Sequence, residues 1–489
     1  MPVEASKVIS KALNRGFQVD PEAFALLSQL SIDVDAETLV DKAMMAKLSG
    51  TGERLITKRD LECVLRPEVD VSEASVSVGD LDSQMEVLSD PTEEIAPREA
   101  ELGFKKLFAD RYERLLGITE RRPDARGLSS IESVNMAGQK QRIKVGGLVS
   151  SRNSRRGMVE VVLDDPSGSM RAVCVDKASD SMLRVPLDSF VVLEGSKSRD
   201  GVFFANSVMV PDVPARRPAT SSHRVYVALL SDLHVGSRMF LQEDFKRFVL
   251  WLNGKFGDDD IAAKVKYIII AGDVVDGIGV YPGQEYQLSE RDLRKQYVLA
   301  GEFLSQIPKN IQILVSPGNH DSVRQALPQP AISGDVAKSI CEMQNVTLLG
   351  NPCYVKLDGV TFLVYHGRSL DDIIATVPEL SYSKPAGAMQ VLLKSRHLAP
   401  VYGKRTALSP ELRDMLIIDP VPDVFHAGHV HAVDLVEYRG TVLVNSGTWQ
   451  AQTPFQVNMG LEPTPSIVPL VDLSSLEVVK RSFTRDGFS

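Results

Sequence analysis

Five times in this 489-residue chain an apolar, mostly β-branched run stops abruptly at aspartate, asparagine or histidine. The runs are VYVALLSDLH from Val225 to His234, KYIIIAGD from Lys266 to Asp273, IQILVSPGNHD from Ile311 to Asp321, TFLVYHG from Thr361 to Gly367, and DVFHAGHVH from Asp423 to His431. Apolar runs of this length with Gly or Pro at their ends read as buried strands. Side chains on a strand alternate faces, so Asp232 and His234 are expected to point the same way and grip one ion. A single Asp-x-His is ordinarily a cap beside a surface histidine. Repetition changes the reading: six of the eight histidines, at 234, 320, 366, 426, 429 and 431, fall inside these motifs. Strands whose carboxyl ends all carry such residues point to an α/β sheet with its site along that edge.

The order DLH, GD, GNHD, HG and GHVH resembles the calcineurin-like metallophosphoesterase superfamily, over roughly residues 223 to 460. More narrowly, GDVVDGIGVYPGQ, PGNHDSVRQALPQPA and the segment from Pro378 to His431 are similar to the small-subunit family of the archaeal family-D DNA polymerase. The resemblance implies a double sheet flanked by helices, a two-metal 3'-to-5' proofreading exonuclease, and a larger subunit that carries polymerisation. Matched motif by motif, Asp232, His234, Asp273 and His431 would hold one divalent ion. Asp273, Asn319, His366 and His429 would hold the other, with Asp273 as the bridge. His320 would stabilise the phosphorane and protonate the leaving 3' oxygen, with Asp321 orienting its ring. Mixed imidazole, carboxylate and amide ligands favour manganese, with magnesium, iron and zinc as the other candidates. Single-stranded and primer-template DNA are the implied substrates, and Arg368, just after the HG motif, is a candidate phosphate contact. His426 matches no ligand position and reads as packing or outer support. Asp276 reads as a turn or helix cap, and His397 and His223 as structural. Two other functions fit the same residues: a stand-alone phosphomonoesterase or cyclic-nucleotide phosphodiesterase, and a purely structural polymerase subunit. The basic stretch and strand-rich module before the motifs argue against the first, and the intact ligand set against the second.

The charge map divides the rest of the chain. Residues 68–97 carry nine acids and no Lys or Arg, which accounts for the whole net charge of -9. Residues 98–157 carry fourteen Lys or Arg against seven Asp or Glu. We therefore expect a helical protein-interaction domain over 1–67, an acidic disordered linker over 68–97, a helix plus OB-fold domain over 98–215, and the phosphoesterase over 216–489. In the first, Asp20 with Pro21 is expected to cap a helix. The segment up to residue 97 is expected to recruit a replisome component such as the sliding clamp. In the third, Leu102, Leu107, Tyr112 and Leu115 mark an amphipathic helix, and short alternating strands with a hairpin at Asp165 to Gly168 suggest the barrel. Its tip residues Arg152, Arg155 and Arg156 are candidates for DNA contact, and a barrel used only for protein packing is weighed evenly with that. Arg216 to His223 is expected to be a hinge. The four cysteines form no CxxC pair, so free thiols are expected, although Cys341 and Cys353 are near enough in sequence to bridge. No apolar run approaches the roughly 20 residues that span a bilayer, and the N-terminus has no signal-peptide core, so a cytoplasmic protein is expected.

Overall fold

The computed structural model describes residues 84–95, 99–137, 141–255 and 260–485, with Ala12, Arg15, Ala23, Val40, Met44 and residues 17–21 and 55–57 nearer the N-terminus. The chain divides into two compact units, Met1–Ser77 and Val78–Ser489. In the first, Asp20 Oδ1 accepts the Ala23 N–H at 2.6 Å, the expected cap. Two short strands not foreseen there, Gln18–Val19 and Leu55–Ile56, pair in parallel. Ala12, Phe17, Ala23, Val40, Met44 and Ile56 are buried. Ala12, Ala23, Val40 and Met44 are helical; the rest of the expected helical domain, Cys63 included, lies outside the described residues.

The second unit begins with β1, Met85–Ser89, and α1, Ala100–Glu120. A closed barrel follows: β2 Ile143–Arg155, β3 Met158–Asp165, β4 Gly168–Cys174, α2 Lys177–Leu183, β5 Phe190–Lys197 and β6 Phe203–Met209, in the order β2-β3-β4-β6-β5. The hairpin at residues 165–168 joins β3 to β4, and Asp165 Oδ1 accepts the N–H groups of Ser167 and Gly168 at 2.8 and 3.0 Å. A bulge between Val149 and Ser151 lets the long β2 turn the barrel's corner. Val145, Val149, Val161, Leu163 and Phe203 fill the interior.

Beyond the barrel the chain builds two six-stranded sheets. The first contains β7 Tyr226–Leu230, β8 Val265–Ala271, β9 Gln312–Ser316, β10 Val346–Leu348, and, later in sequence, β16 Ile467–Asp472 and β17 Val478–Ser482, ordered β10-β9-β8-β7-β16-β17. Helices α3 Gln242–Leu252 and α4 Leu293–Leu304 cover its outer face. The second contains β11 Cys353–Leu357, β12 Val360–Tyr365, β13 Val424–Ala427, β14 Asp434–Tyr438 and β15 Thr441–Asn445, ordered β14-β15-β13-β12-β11-β1. Helices α5 Leu370–Thr376 and α6 Pro385–Ser395 cover it, and α7 Pro454–Asn458 precedes β16.

The four layers follow from the sequence of β7. All five of its residues are buried, and they alternate between two cores. Val227 and Leu229 meet Phe362, Val364 and Val444 between the sheets, while Tyr226, Ala228 and Leu230 pack on Phe245, Phe248 and Trp251 beneath the helices. A strand apolar on both faces can only lie between two such layers. Each fully buried large side chain contributes about 1.5–3 kcal/mol relative to exposure.

Three sequence expectations change here. Residues 84–95 are not linker: β1 pairs antiparallel with β11 from Met85–Leu357 to Ser89–Tyr354, and Asp90 Oδ1 accepts the Gly350 N–H at 3.1 Å. The acidic, serine- and valine-rich composition of the surrounding stretch let that strand pass as tether. Arg216 is not in a free hinge, because its guanidinium holds Asp423 at 2.7 Å and the Pro422 carbonyl at 2.6 Å. On α1, Leu107 and Leu115 are buried, Leu102 is half exposed, and the largest wholly enclosed side chain is Arg111. Its Nε donates to Asp414 Oδ2 at 2.7 Å and its Nη1 to the Pro400 carbonyl at 2.8 Å. His397 Nε2 lies 2.8 Å from the same Asp414 oxygen, so this histidine serves a buried ionic knot. Cys341 is exposed and Cys353 buried, and both are free thiols. Among the described residues no helix is long and apolar enough to cross a membrane.

Candidate metal centre

Every expected ligand leaves the carboxyl end of one of the strands β7, β8, β9, β12 and β13. β7, β8 and β9 run parallel in one sheet, β12 and β13 in the other, so both sheets deliver their ligands to one edge. The pleat does not aim them. β7 ends at Leu230, and Asp232 and His234 are loop residues with φ of 52° each; Asp273 (53°), His429 (68°) and His431 (61°) also lie in the left-handed region. That conformation is uncommon for residues with a side chain and costs of order 1–3 kcal/mol at each position. Five such residues around one point are backbone strain held by the surrounding fold, where strand alternation had been expected to suffice. The motif glycines make room: a Cβ on Gly272, whose φ is +90°, would stand 2.3 Å from His366 Nδ1, and one on Gly318 2.1 Å from Asp273 Oδ1.

Two carboxylate oxygens form the centre. Asp273 Oδ1 accepts the His320 N–H at 2.8 Å, so Oδ2 faces the imidazoles: His366 Nε2 at 3.4 Å, His234 Nε2 at 3.8 Å and His320 Nε2 at 3.9 Å. Asp232 Oδ2 accepts from Ser231 Oγ and from the His429 N–H. Its Oδ1 is buried with no hydrogen-bond partner, 3.4 Å from His431 Nε2 and 3.9 Å from His234 Nε2. Asn319 Oδ1 stands 3.0 Å from His366 Nε2. The groups Asp232–His234–His431 and Asp273–His366–His429 each bring their ligand atoms within 4.8 Å of one another.

Partners behind the rings fix which nitrogen faces inward. His366 Nδ1 donates to the Ala271 carbonyl at 2.9 Å, leaving Nε2 for the cluster. His234 Nδ1 lies 3.0 Å from Asp276 Oδ1, and His429 Nε2 3.2 Å from Asp371 Oδ2. Gln456 Nε2 lies 2.9 Å from His431 Nδ1. Such outer partners orient a metal-binding imidazole. Asp276 is therefore not a cap: it is buried and also accepts from Gln450 and Gln284. Asp371 had no sequence signal, because its partner comes from a different strand end. His426 is an outer support: its Nε2 meets Ser446 Oγ at 3.0 Å, and Ser446 donates to Ser231, which holds Asp232. Burial drives its pKa down to about 3, so it stays neutral.

His320 and Asp321 need a correction. Asp321 does not touch the His320 ring; it accepts from the Gly318 N–H at 2.9 Å and Tyr297 Oη at 3.0 Å, knitting the turn to α4. Burial, reinforced by the Asp273 charge, pushes its carboxyl up to about 6. The ring is held by Nδ1 donating to the Asp276 carbonyl at 2.7 Å. Adjacency in sequence suggested Asp321, but its side chain is committed to backbone N–H groups.

The electrostatics ask for cations. Burial opposes charge on His234 and His366, yet the carboxylates beside them, Asp276 and Asp273 for the first and Asp273 for the second, outweigh it and hold both near 9. Burial likewise opposes ionised Asp273, and the surrounding histidines keep it well below the usual carboxylate range. Protons thus balance the acids of the bare protein. An orphaned carboxylate oxygen and an array of buried acids that stay ionised fit divalent cations in the same place.

The cluster opens into a cavity of about 310 Å³. Arg368, the candidate phosphate contact, and Asp371, Tyr382, Tyr281, Phe455 and Leu461 are among the residues that line it. Of the barrel arginines, Arg155 and Arg156 are exposed. Arg152 is not a free DNA contact: it donates to the carbonyls of Met182, Leu183 and Val185 and, through Nη2, to that of Thr376 at 3.0 Å. It fastens the barrel to α5.

Residues 227–433 match the B-subunit family of DNA polymerases alpha and epsilon. The chain is 38% identical over 479 residues to the DNA polymerase II small subunit of Archaeoglobus fulgidus, covering 95% of this chain and 96% of that one. It is 35% identical over 491 residues to that of Methanothermobacter thermautotrophicus, covering 98% and 100%. With the Pyrococcus furiosus protein it shares 40% over 385 residues, 77% of this chain and 63% of that one. Near-complete coverage at this identity places the chain in the DNA polymerase II small-subunit family of the archaeal family-D polymerase.

Proposed function

We propose that this chain is the 3'-to-5' exonuclease of a replicative polymerase, bound to a large catalytic subunit and trimming single-stranded or mismatched DNA 3' ends. The observation that carries the reading is the pair of ligand groups meeting at Asp273 Oδ2, below a cavity lined by His320 and Arg368. Asp232, His234, Asp273 and His431 would hold one divalent ion and Asp273, Asn319, His366 and His429 the other. Their mixed donors favour manganese over magnesium. Bound there, the cations supply Lewis acidity to an attacking water and to the phosphoryl oxygens.

The chain's own residues then have separable tasks. Asp273 ties the two groups through one oxygen, because its other oxygen is committed to the His320 N–H. Asp276, Asp371 and Gln456 hold the rings of His234, His429 and His431 in place. His320, anchored by its Nδ1–H on the Asp276 carbonyl, presents Nε2 to the cavity; as the doubly protonated imidazolium its Nε2–H can stabilise the phosphorane and pass to the leaving 3' oxygen, leaving the neutral ring still anchored at Nδ1. Arg368 grips a phosphate. We read the barrel as an OB fold in which Arg155 and Arg156 track the strand, and the N-terminal unit as the recruiter of another replisome protein such as the clamp.

The test is degradation of a 3'-labelled single strand by the purified chain in manganese or EDTA, with and without the large subunit. Manganese-dependent shortening that Asp273→Asn abolishes is expected. A wild-type chain that binds manganese yet leaves DNA intact in both settings would assign it a structural role. Turnover of phosphomonoesters alone would make it a small-ester enzyme.

A further inference from the structure

We infer that Phe455 and Tyr281 form a nucleobase-stacking subsite on the wall of the metal-centre cavity, which takes the unpaired base next to the scissile phosphate. The inference rests on the nuclease reading and names how its substrate is gripped. Phe455 is a large apolar side chain left 56% exposed beside a polar cluster. Its ring lies near-parallel to that of Tyr281, at 27° with centroids 6.3 Å apart, and Tyr281 stands in turn 6.3 Å from the His320 ring. Both line the same cavity as His320, His429 and Arg368. Val457, two residues along the same helix, is also exposed (57%).

The platform is built rather than incidental. Phe455 sits on α7, whose start is fixed by a capping box: Thr453 Oγ1 accepts the Gln456 N–H, and Gln456 Oε1 accepts the Thr453 N–H. The Gln456 side chain also reaches His431 Nδ1. One short helix thus positions both a ligand and the exposed ring beside it, so the distance from ring to cluster is set by the fold. No residue of α7 is buried, and the helix has no packing reason to carry Phe, Val and, just beyond, Met459 on its surface.

The occupant is identified by complementarity. One part of the cavity gathers cation ligands and Arg368, which suit a phosphodiester; the adjoining part offers flat aromatic faces. A single nucleic-acid strand presents that alternation of anion and flat ring, and every base has a π-face to stack. A base resting on Phe455 cannot also be paired, so the subsite selects frayed ends without reading sequence. Stacking on one aromatic residue is worth roughly 5- to 150-fold in affinity.

The experiment uses the full chain and single strands that end in a normal nucleotide, an abasic residue or 2-aminopurine. In EDTA, binding should quench terminal 2-aminopurine fluorescence; Phe455→Ala and Tyr281→Ala should lose the quenching, and Phe455→Trp should keep it. In manganese, Phe455→Ala should cost about 10-fold or more in kcat/KM on the normal end and nothing on the abasic end, with manganese content unchanged. Equal losses on normal and abasic ends, or quenching that survives Phe455→Ala and Tyr281→Ala, would overturn the subsite. The quenching needs no hydrolysis, so a wild-type chain that quenches but does not cut retains the subsite while the nuclease reading fails.

Discussion

Replacing Arg111 by Met tests the knot that ties α1 to the 397–418 segment. Arg111 and Asp414 are both wholly enclosed, with 0% side-chain exposure and 2.7 Å between Nε and Oδ2. Removing one partner of such a pair leaves a buried uncompensated charge and costs about 3–5 kcal/mol. The pH dependence identifies the cause. In the wild type, burial and then the Arg111 charge hold His397 down at about 4, against 6.5 in the unfolded chain. As pH falls through 6.5 the unfolded chain takes up a proton that the folded one refuses. Stability is therefore full above 6.5 and lost on acidification, by about 2 kcal/mol at pH 5. The contribution of the depressed Asp414 carboxyl is lost only at lower pH. In Arg111→Met the repelling cation is gone while Asp414 still attracts, so His397 takes its proton at higher pH and the acid loss shrinks or reverses. Hydrogen exchange of α1 amides from pH 5 to 8 reads this locally, as suits a chain too long for a two-state transition. A variant within 1 kcal/mol of wild type at pH 8, or one with an unchanged pH slope, would refute the reasoning.

His320→Ala should retain both manganese ions by anomalous diffraction and lose ~100-fold in hydrolysis rate, the usual worth of a positioned acid; loss of an ion would instead make His320 a ligand. A chain beginning at Arg98 deletes β1 and the Asp90 contact to Gly350, so it should melt below a chain beginning at Ser83, and equal melting temperatures would show that the strand contributes nothing. Mismatched 3' ends should be cut faster than matched ones, because melting a paired terminus costs a few kcal/mol; equal rates would argue against proofreading.

The sequence alone determined the parts that depend on local pattern. Runs such as KYIIIA can only be strands covered on both sides, and a ligand-type residue after each one marks the edge where they end. The hairpin at Asp165 and the cap at Asp20 were legible for the same reason, since each is made by neighbours in the chain. What only the tertiary structure decided involves residues far apart. Asp276 behind His234 and Asp371 behind His429 carry no motif, because a carboxylate's partner is set by the packing of separate strand ends. The left-handed backbone at Asp232, His234, Asp273, His429 and His431 is imposed by surrounding contacts, and nothing in those residue types announces it. β1 looked like tether because its own side chains are mostly exposed; its place comes from an unfilled sheet edge at β11. Arg152 looked like a DNA contact and Arg111 carried no signal of its own, and both are committed to oxygens from other parts of the chain. Charge and periodicity report what a segment needs, and only the folded chain shows which distant group supplies it.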